Sequence, residues 1–296
     1  MKKIILAVWS AALLWADNNA VDFLQTGLSA RGLALGNAVT ATGGHLDTAF
    51  SNPATLQDVE GEFFSAALNN FDLVNGQMFA AAGRIWPGRN PLVVGLVYAG
   101  SEVNNIDRTL LSEDGRPLEI GSFDSFKRNA SLLLAYRTSR YFWCGLSLRR
   151  YLYALDTETA EATGLDLGWR WQLPGWKGCQ FFTGASLRNL LRTKVAWSTG
   201  HYDTMPLGLN SGLAARRKIW GYPLLASLDC VWQEEQNLFF RSGLEYALDW
   251  VALRLGWDNG LTYGLGLNYF GLNIDYAQTL HEELGLQQRV SLLFQL

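Results

Sequence analysis

The sequence predicts an all-β protein: a transmembrane antiparallel up-and-down β-barrel of about fourteen strands with a small N-terminal segment plugging its lumen. Three observations carry this: strict apolar–polar alternation in short runs, a secretory leader, and connections sorted by length. In 261–269, Leu261, Tyr263, Leu265, Leu267 and Tyr269 alternate with small or polar residues, and 272–276 and 286–292 repeat the scheme. A period of two gives a strand with two unlike faces. Charges recur on the polar face, which in a membrane must turn inward.

The chain opens Met1-Lys2-Lys3, followed by an apolar stretch to Ala16. This reads as a signal peptide over 1–16, cleaved after Ala16 or, as the second choice, after Ala20. The stretch is shorter than the roughly 20 residues a membrane helix requires. With 12 Trp, 15 Phe and 11 Tyr, aromatic residues are plentiful enough to line two membrane interfaces. The net charge of −3 argues against nucleic acid as a partner. Cys144, Cys179 and Cys230 are widely spaced and read as small hydrophobes. His45, His201 and His281 have no ligand spacing, so neither metal nor cofactor is expected, and no nucleophile–base pair points to an enzyme.

Residues 17–60 read as the plug and 61–296 as the barrel. Within the plug, 28–40 is small and glycine-laced, and Asn52-Pro53 reads as an N-cap and first position of a helix. Strands are expected at 62–70, 76–86, 91–101, 126–137, 140–152, 160–172, 178–188, 205–216, 219–231, 236–247, 250–258, 260–269, 271–279 and 286–296. Connections at 87–90, 138–139, 173–177, 217–218, 249 and 270–271 are tight; 102–125, 153–159 and 189–204 are long, with a turn at 280–285. Short turns on the periplasmic side and longer extracellular loops are the barrel pattern. Trp86, Trp143, Trp169, Trp171, Trp176, Trp220 and Trp250 fall near the short-turn end, Trp232, Trp257, Tyr98 and Tyr276 near the other, as two girdles.

Alternation places Arg84, Arg137, Arg149, Asp166, Arg170, Asp229, Arg241, Glu245, Arg254, Asp258, Asp275 and Arg289 in the lumen, as a mixed-sign charge network. Arg31 of the plug should be held by a lumenal carboxylate, with Glu245 and Asp275 the candidates. Leu265→Arg on the lipid face should cost roughly 2–4 kcal/mol, and Gly266→Ala on the lumen face much less. Trp197, His201 and Tyr202 are candidate extracellular contacts, and Phe63, Phe64 and Phe79 candidate lining for an apolar pocket near the plug.

The stretch 22–38, with Gly27, Ala30-Arg31-Gly32 and Gly36, resembles the opening motif of PorV/PorQ-type outer-membrane proteins, relatives of the FadL hydrophobic-compound transporters. Asp47-Thr48-Ala49-Phe50-Ser51-Asn52-Pro53-Ala54-Thr55-Leu56 is similar to that family's acidic turn and Asn-Pro motif, with Thr55 where the family has glycine. The strands at 241–246, 251–257, 274–277 and 284–292 also match, although the chain ends on Leu296 and not on an aromatic residue. The resemblance implies an outer-membrane barrel of a Gram-negative-type bacterium, contacting lipid, with Arg31, Gly32, Gly36, Asn52 and Pro53 as its plug motif. For function it implies a non-enzymatic surface interaction or type IX secretion component with a secreted or surface-attached protein partner. The alternative is a FadL-like channel for hydrophobic small molecules.

Overall fold

Fourteen strands close on themselves in the computed structural model, which describes residues 29–296 apart from 71–73, 87–90, 112–113, 115, 235 and 282–284. The leader, plug residues 17–28 and the tight turn 87–90 lie outside the described residues. The wall starts with β1 (Gly61–Asn70), β2 (Val74–Trp86), β3 (Leu92–Leu111), β4 (Pro117–Ser139), β5 (Phe142–Leu155), β6 (Glu158–Trp176) and β7 (Cys179–Arg188). A small hairpin, β8 (Lys194–Trp197) and β9 (Tyr202–Thr204), interrupts it. The wall resumes with β10 (Gly208–Ile219), β11 (Tyr222–Gln233), β12 (Phe239–Ala247), β13 (Val251–Trp257), β14 (Leu261–Tyr269), β15 (Leu272–His281) and β16 (Gly285–Gln295). Each wall strand pairs antiparallel with its neighbours, and β1 closes on β16 from Glu62↔Gln295 to Asn70↔Gln287. Closure removes the free edges that hydrocarbon would not tolerate.

At one end the turns are minimal. Lys177-Gly178, Trp220-Gly221 and Phe270-Gly271 all have positive φ at both positions. That is the backbone of the two-residue turn that matches strand twist. At the far end the expected long loops are mostly strand. β3 and β4 run on through 102–111 and 117–125 as a paired ribbon, and β5 and β6 leave only residues 156–157 between them. Positions 102–110 of this ribbon are largely exposed on both faces, so alternation there carries no signal. The 189–204 connection contains β8–β9, which pairs onto β6 at Ala160↔Trp197.

Trp169, Trp171, Trp176, Trp220 and Trp250 are exposed on the outer wall near the short turns, and Trp232 and Trp257 near the far end. Trp143 does not belong to the girdle: it is buried, with the Arg137 and Arg170 guanidiniums 5.8 and 5.4 Å from its ring. The lumen gives its face two cations to stack against. The side chain of Trp86 lies outside those described. Cys144, Cys179 and Cys230 are free thiols.

Residues 29–59 sit inside the barrel and are almost entirely buried. They form one short helix, α1 (Ala30–Ala34), and two 3-10 turns, Leu46–Phe50 and Pro53–Asp58. Ser29 caps α1 by accepting from Gly32 N at 2.8 Å. Asn52 caps the second turn through Ala54 N at 3.1 Å, with Pro53 at its first position. Thr55 supplies what a glycine could not: its hydroxyl donates to Asn52 O and accepts from Thr48 Oγ1, both at 2.8 Å, tying the two turns together.

Candidate functional site: the plugged lumen

Two devices hold the plug. The first is a belt of glycines on the lumen face of successive strands. Gly145 and Gly168 are cross-strand partners, as are Gly184 and Gly212, and Gly243 and Gly256. A Cβ on Gly145 would lie 2.3 Å from the Pro53 carbonyl carbon and the Ala54 nitrogen; one on Gly256 would lie 2.2 Å from Gly36 N. One on Gly168 would meet Asn52 Oδ1 at 2.1 Å. The plug backbone therefore rests directly on the barrel backbone. Gly36 itself adopts φ +59°, and its N–H donates to Thr262 Oγ1 at 3.1 Å. Gly32 also meets a close neighbour, the Ser29 hydroxyl, at 2.8 Å from where its Cβ would be.

The second device is charge. Arg31 grips Glu245 with two hydrogen bonds, Nε to Oε2 at 2.8 Å and Nη2 to Oε1 at 3.1 Å. Glu245 also accepts from Arg254 Nε at 2.7 Å, and Arg254 Nη1 reaches Asp275 at 2.6 Å. Asp275 thus touches Arg31 only through this relay. Asp47 of the plug lies 3.9 Å from Arg31 Nη1 and accepts from Ser29 Oγ at 2.8 Å. Bidentate guanidinium–carboxylate geometry is the strongest such arrangement, and burial makes losing either partner costly. Arg31 Nη1, Asp47 Oδ1, His45 Nδ1 and Asn273 Nδ2 belong to residues around a cavity of about 10 Å³, room for about one water.

The remaining charges anchor plug segments one by one. Asp229 accepts from Thr40 N at 3.0 Å, and Asp258 bridges Asn37 Nδ2 (2.8 Å) and Arg241 Nε (3.0 Å). Arg170 donates to the Ala41 and Thr42 carbonyls and pairs with Asp58 at 2.7 Å. Arg149 pairs with Asp166 at 2.6 Å and donates to Phe50 O at 3.2 Å. Arg289 is fully buried on the lumen face of β16. Arg84 and Arg137 stand apart at the short-turn mouth: Arg84 meets Glu60 at 3.4 Å, and Arg137 donates to the Ser139 and Arg140 carbonyls.

The sequence reading missed the plug's own acids, Asp47 and Asp58, and the glycine belt. Glycines at lumen parity in neighbouring strands were the available signal. Gly266 lies close to the charge network. A Cβ there would fall 2.4 Å from Asp275 Oδ1 and 2.7 Å from Arg254 Nη1, inside the relay. Those atoms are the ends of side chains that can shift, so Gly266→Ala is expected to cost less than the ~2–4 kcal/mol of Leu265→Arg on the lipid face. Urea midpoints of the refolded variants in one lipid or detergent system measure both.

The apolar lining of the lumen is one-sided. Charges grip the plug from both sides, Asp229, Glu245 and Asp258 from β11 to the end of β13, and Glu62, Arg149 and Arg170 from β1, β5 and β6. Facing β1–β6 is an apolar cluster in which Phe64, Met78, Val97, Ala99, Leu133 and Tyr151 adjoin Leu46, Phe50 and Leu56 of the plug. Val195 and Met205, from and beside the hairpin, join the same cluster, with Trp197 packed on it. Trp197 is half-buried and donates Nε1–H to Asp203 at 2.7 Å. His201 and Tyr202 are exposed, His201 against Asp203 at 3.0 Å. Of the three phenylalanines, only Phe64 faces the plug, 6.0 Å from the Phe50 ring; Phe63 and Phe79 face outward, about half exposed.

These features define a closed transmembrane barrel of fourteen strands whose lumen is filled by its own N-terminal segment. Solved structures share that fold. The Pseudomonas putida toluene transporter TodX superposes with a TM-score of 0.57 at 11% identity, over 94% of this chain and 98% of that one. The CymD monoaromatic hydrocarbon channel gives 0.55 at 12% identity, over 93% and 99%. No family model and no curated protein matches the sequence.

Proposed function

We propose that the protein is an outer-membrane channel for hydrophobic small molecules in a Gram-negative-type bacterium, made with residues 1–16 as a cleaved leader. The observation that carries this reading is a one-sided apolar lining. Charges anchor the plug from both sides, but only on the β1–β6 side does a contiguous buried apolar surface run from Val195 and Met205, at the β8–β9 hairpin, to Phe50. A solute without hydrogen-bonding groups passes along such a surface without stripping polar groups of partners. The neighbours in fold, one titled a toluene transporter and one a monoaromatic hydrocarbon channel, support it. Removing residues 29–40, with the barrel otherwise intact, is expected to raise influx of a hydrophobic dye into proteoliposomes at least severalfold. Unchanged influx contradicts the reading.

A second reading, a surface receiver for a secreted or surface-attached protein of the PorV/PorQ type, draws on one feature: the β3–β4 ribbon, with Leu110, Leu118 and Ile120 exposed. Trimming residues 105–121 should abolish capture of a specific protein from outer membranes if this reading holds, and leave dye influx unchanged if the channel reading does.

A further inference from the structure

The outer wall between β16 and β6 is dished. A depression of about 1230 Å³ opens on it, larger than the roughly 300–1,000 Å³ of ordinary ligand pockets. Its floor is set by short side chains and its rims by long ones. Ser65 stands opposite Phe79, Ala81 opposite Phe63 and Leu96, and Ala130 opposite Tyr98. Exposure puts Phe63, Phe79 and Leu96 on the lipid side, opposite in parity to the buried Phe64, Ala80 and Val97. Toward the far end a second, more polar hollow of about 620 Å³ shares Tyr98 and reaches Gly100 and Arg128.

One guanidinium, Arg150, lines the apolar part, and a second, Arg128, lies in the adjoining polar hollow with Glu102 and Asp124. Arg128 pairs in register with Gly100, and Arg150 with Ala130, so both flank a notch floored by a hydrogen and a methyl group. Arg128 stacks on Phe126 at 4.5 Å and has no ion pair among the described residues. Arg150 is steadied by Thr163 at 3.0 Å and by Glu161. Arg128 lies eight residues from Tyr136, and Arg150 eight from Phe142, at the short-turn end. Eight residues span about 26 Å of strand. A strand tilt of about 40° turns that into about 20 Å of depth, against an apolar band of about 25 Å. Both backbone positions therefore stand about 5 Å inside the far border of the apolar band, a distance that a long guanidinium side chain spans to reach the headgroups.

We propose that this trough is a binding site for an anionic phosphorylated lipid of the outer leaflet, its acyl chains over the Ser65 and Ala81 floor between the Phe63, Phe79 and Leu96 rims and its phosphate between Arg128 and Arg150. An apolar dish ending in a pair of guanidiniums complements such a molecule in shape and in charge. A second copy of the chain does not fit as well: two concave faces apposed by a two-fold axis leave a void between them. The site is independent of what crosses the lumen.

Native mass spectrometry of the delipidated barrel, offered lipid A, phosphatidylglycerol or phosphatidylcholine in turn, tests this. One phosphorylated anionic lipid should be retained per barrel, at least tenfold more tightly than phosphatidylcholine. Arg128→Gln with Arg150→Gln should remove that preference, and Ala130→Trp, which fills the notch and keeps both charges, should weaken retention as well. Heat-modifiable gel mobility checks that each variant is folded, and the two variants alter the site by different means, so a fold defect in one leaves the other decisive. Equal retention of all three lipids by the native barrel, full retention by a folded double variant, or a dimer cross-linked through Ala130→Cys would each overturn the proposal.

Discussion

Replacing Gly145 and Gly256 together by valine is expected to leave the barrel assembled and to drive the plug from the lumen. Each new Cβ would fall on plug backbone, at 2.3 Å from Ala54 N and 2.2 Å from Gly36 N. Backbone held from both sides cannot rotate away as a side chain can. Overpacking of this kind costs about 1–3 kcal/mol per site, and two separated sites add. Limited proteolysis should then cut within residues 29–60, while heat-modifiable mobility persists. Gly83→Ala, where a Cβ would meet nothing within 4 Å, is the control and should behave as the native chain. A plug still protected in the valine double variant would mean that the belt is not what seats it.

Glu245→Ala is the second large effect. Glu245 receives both Arg31 and Arg254, and all three are largely buried. Among the described residues, removing the carboxylate leaves Arg31 with the 3.9 Å contact to Asp47 and Arg254 with Asp275. Breaking a buried pair by deleting one partner costs about 3–5 kcal/mol. Replacing both members, Arg31→Met with Glu245→Met, should recover most of it, because apolar substitutes of similar size remove the uncompensated charge. Denaturant midpoints for the two singles and the double give the coupling. A Glu245→Ala loss below about 1 kcal/mol would show that the glycine belt alone carries the plug.

The wall was legible because one physical constraint governs it: each strand must show hydrocarbon one face and the lumen the other. Leu265 and Tyr263 could be placed outside, and Arg254 and Asp275 inside, on parity alone. Where that constraint lapses, legibility lapses too. Residues 102–110 are exposed on both faces, so only 91–101 and 126–137 of β3 and β4 read as strand and their far ends read as loop. Trp143 was assigned by its nearness to a strand end, although its parity is that of the lumen residues Ser147 and Arg149. The Arg31–Glu245 contact followed from the cost of an unpaired charge, but the relay through Arg254 depends on the registers Glu245↔Arg254 and Gly266↔Asp275. A single strand does not announce its register.

The apolar side of the lumen as the solute's route is tested most directly by photolabelling. A diazirine-bearing alkylbenzene, equilibrated with proteoliposomes of the native chain and photolysed, should label residues that no bilayer lipid can reach. Adducts are expected on Met78, Ala99, Tyr151 and Met205, all buried on the β1–β6 side of the lumen, in addition to outer-wall residues such as Phe79 that any dissolved hydrophobe reaches. Labelling confined to the outer wall, or adducts only around Arg254 and Asp275, would contradict the channel.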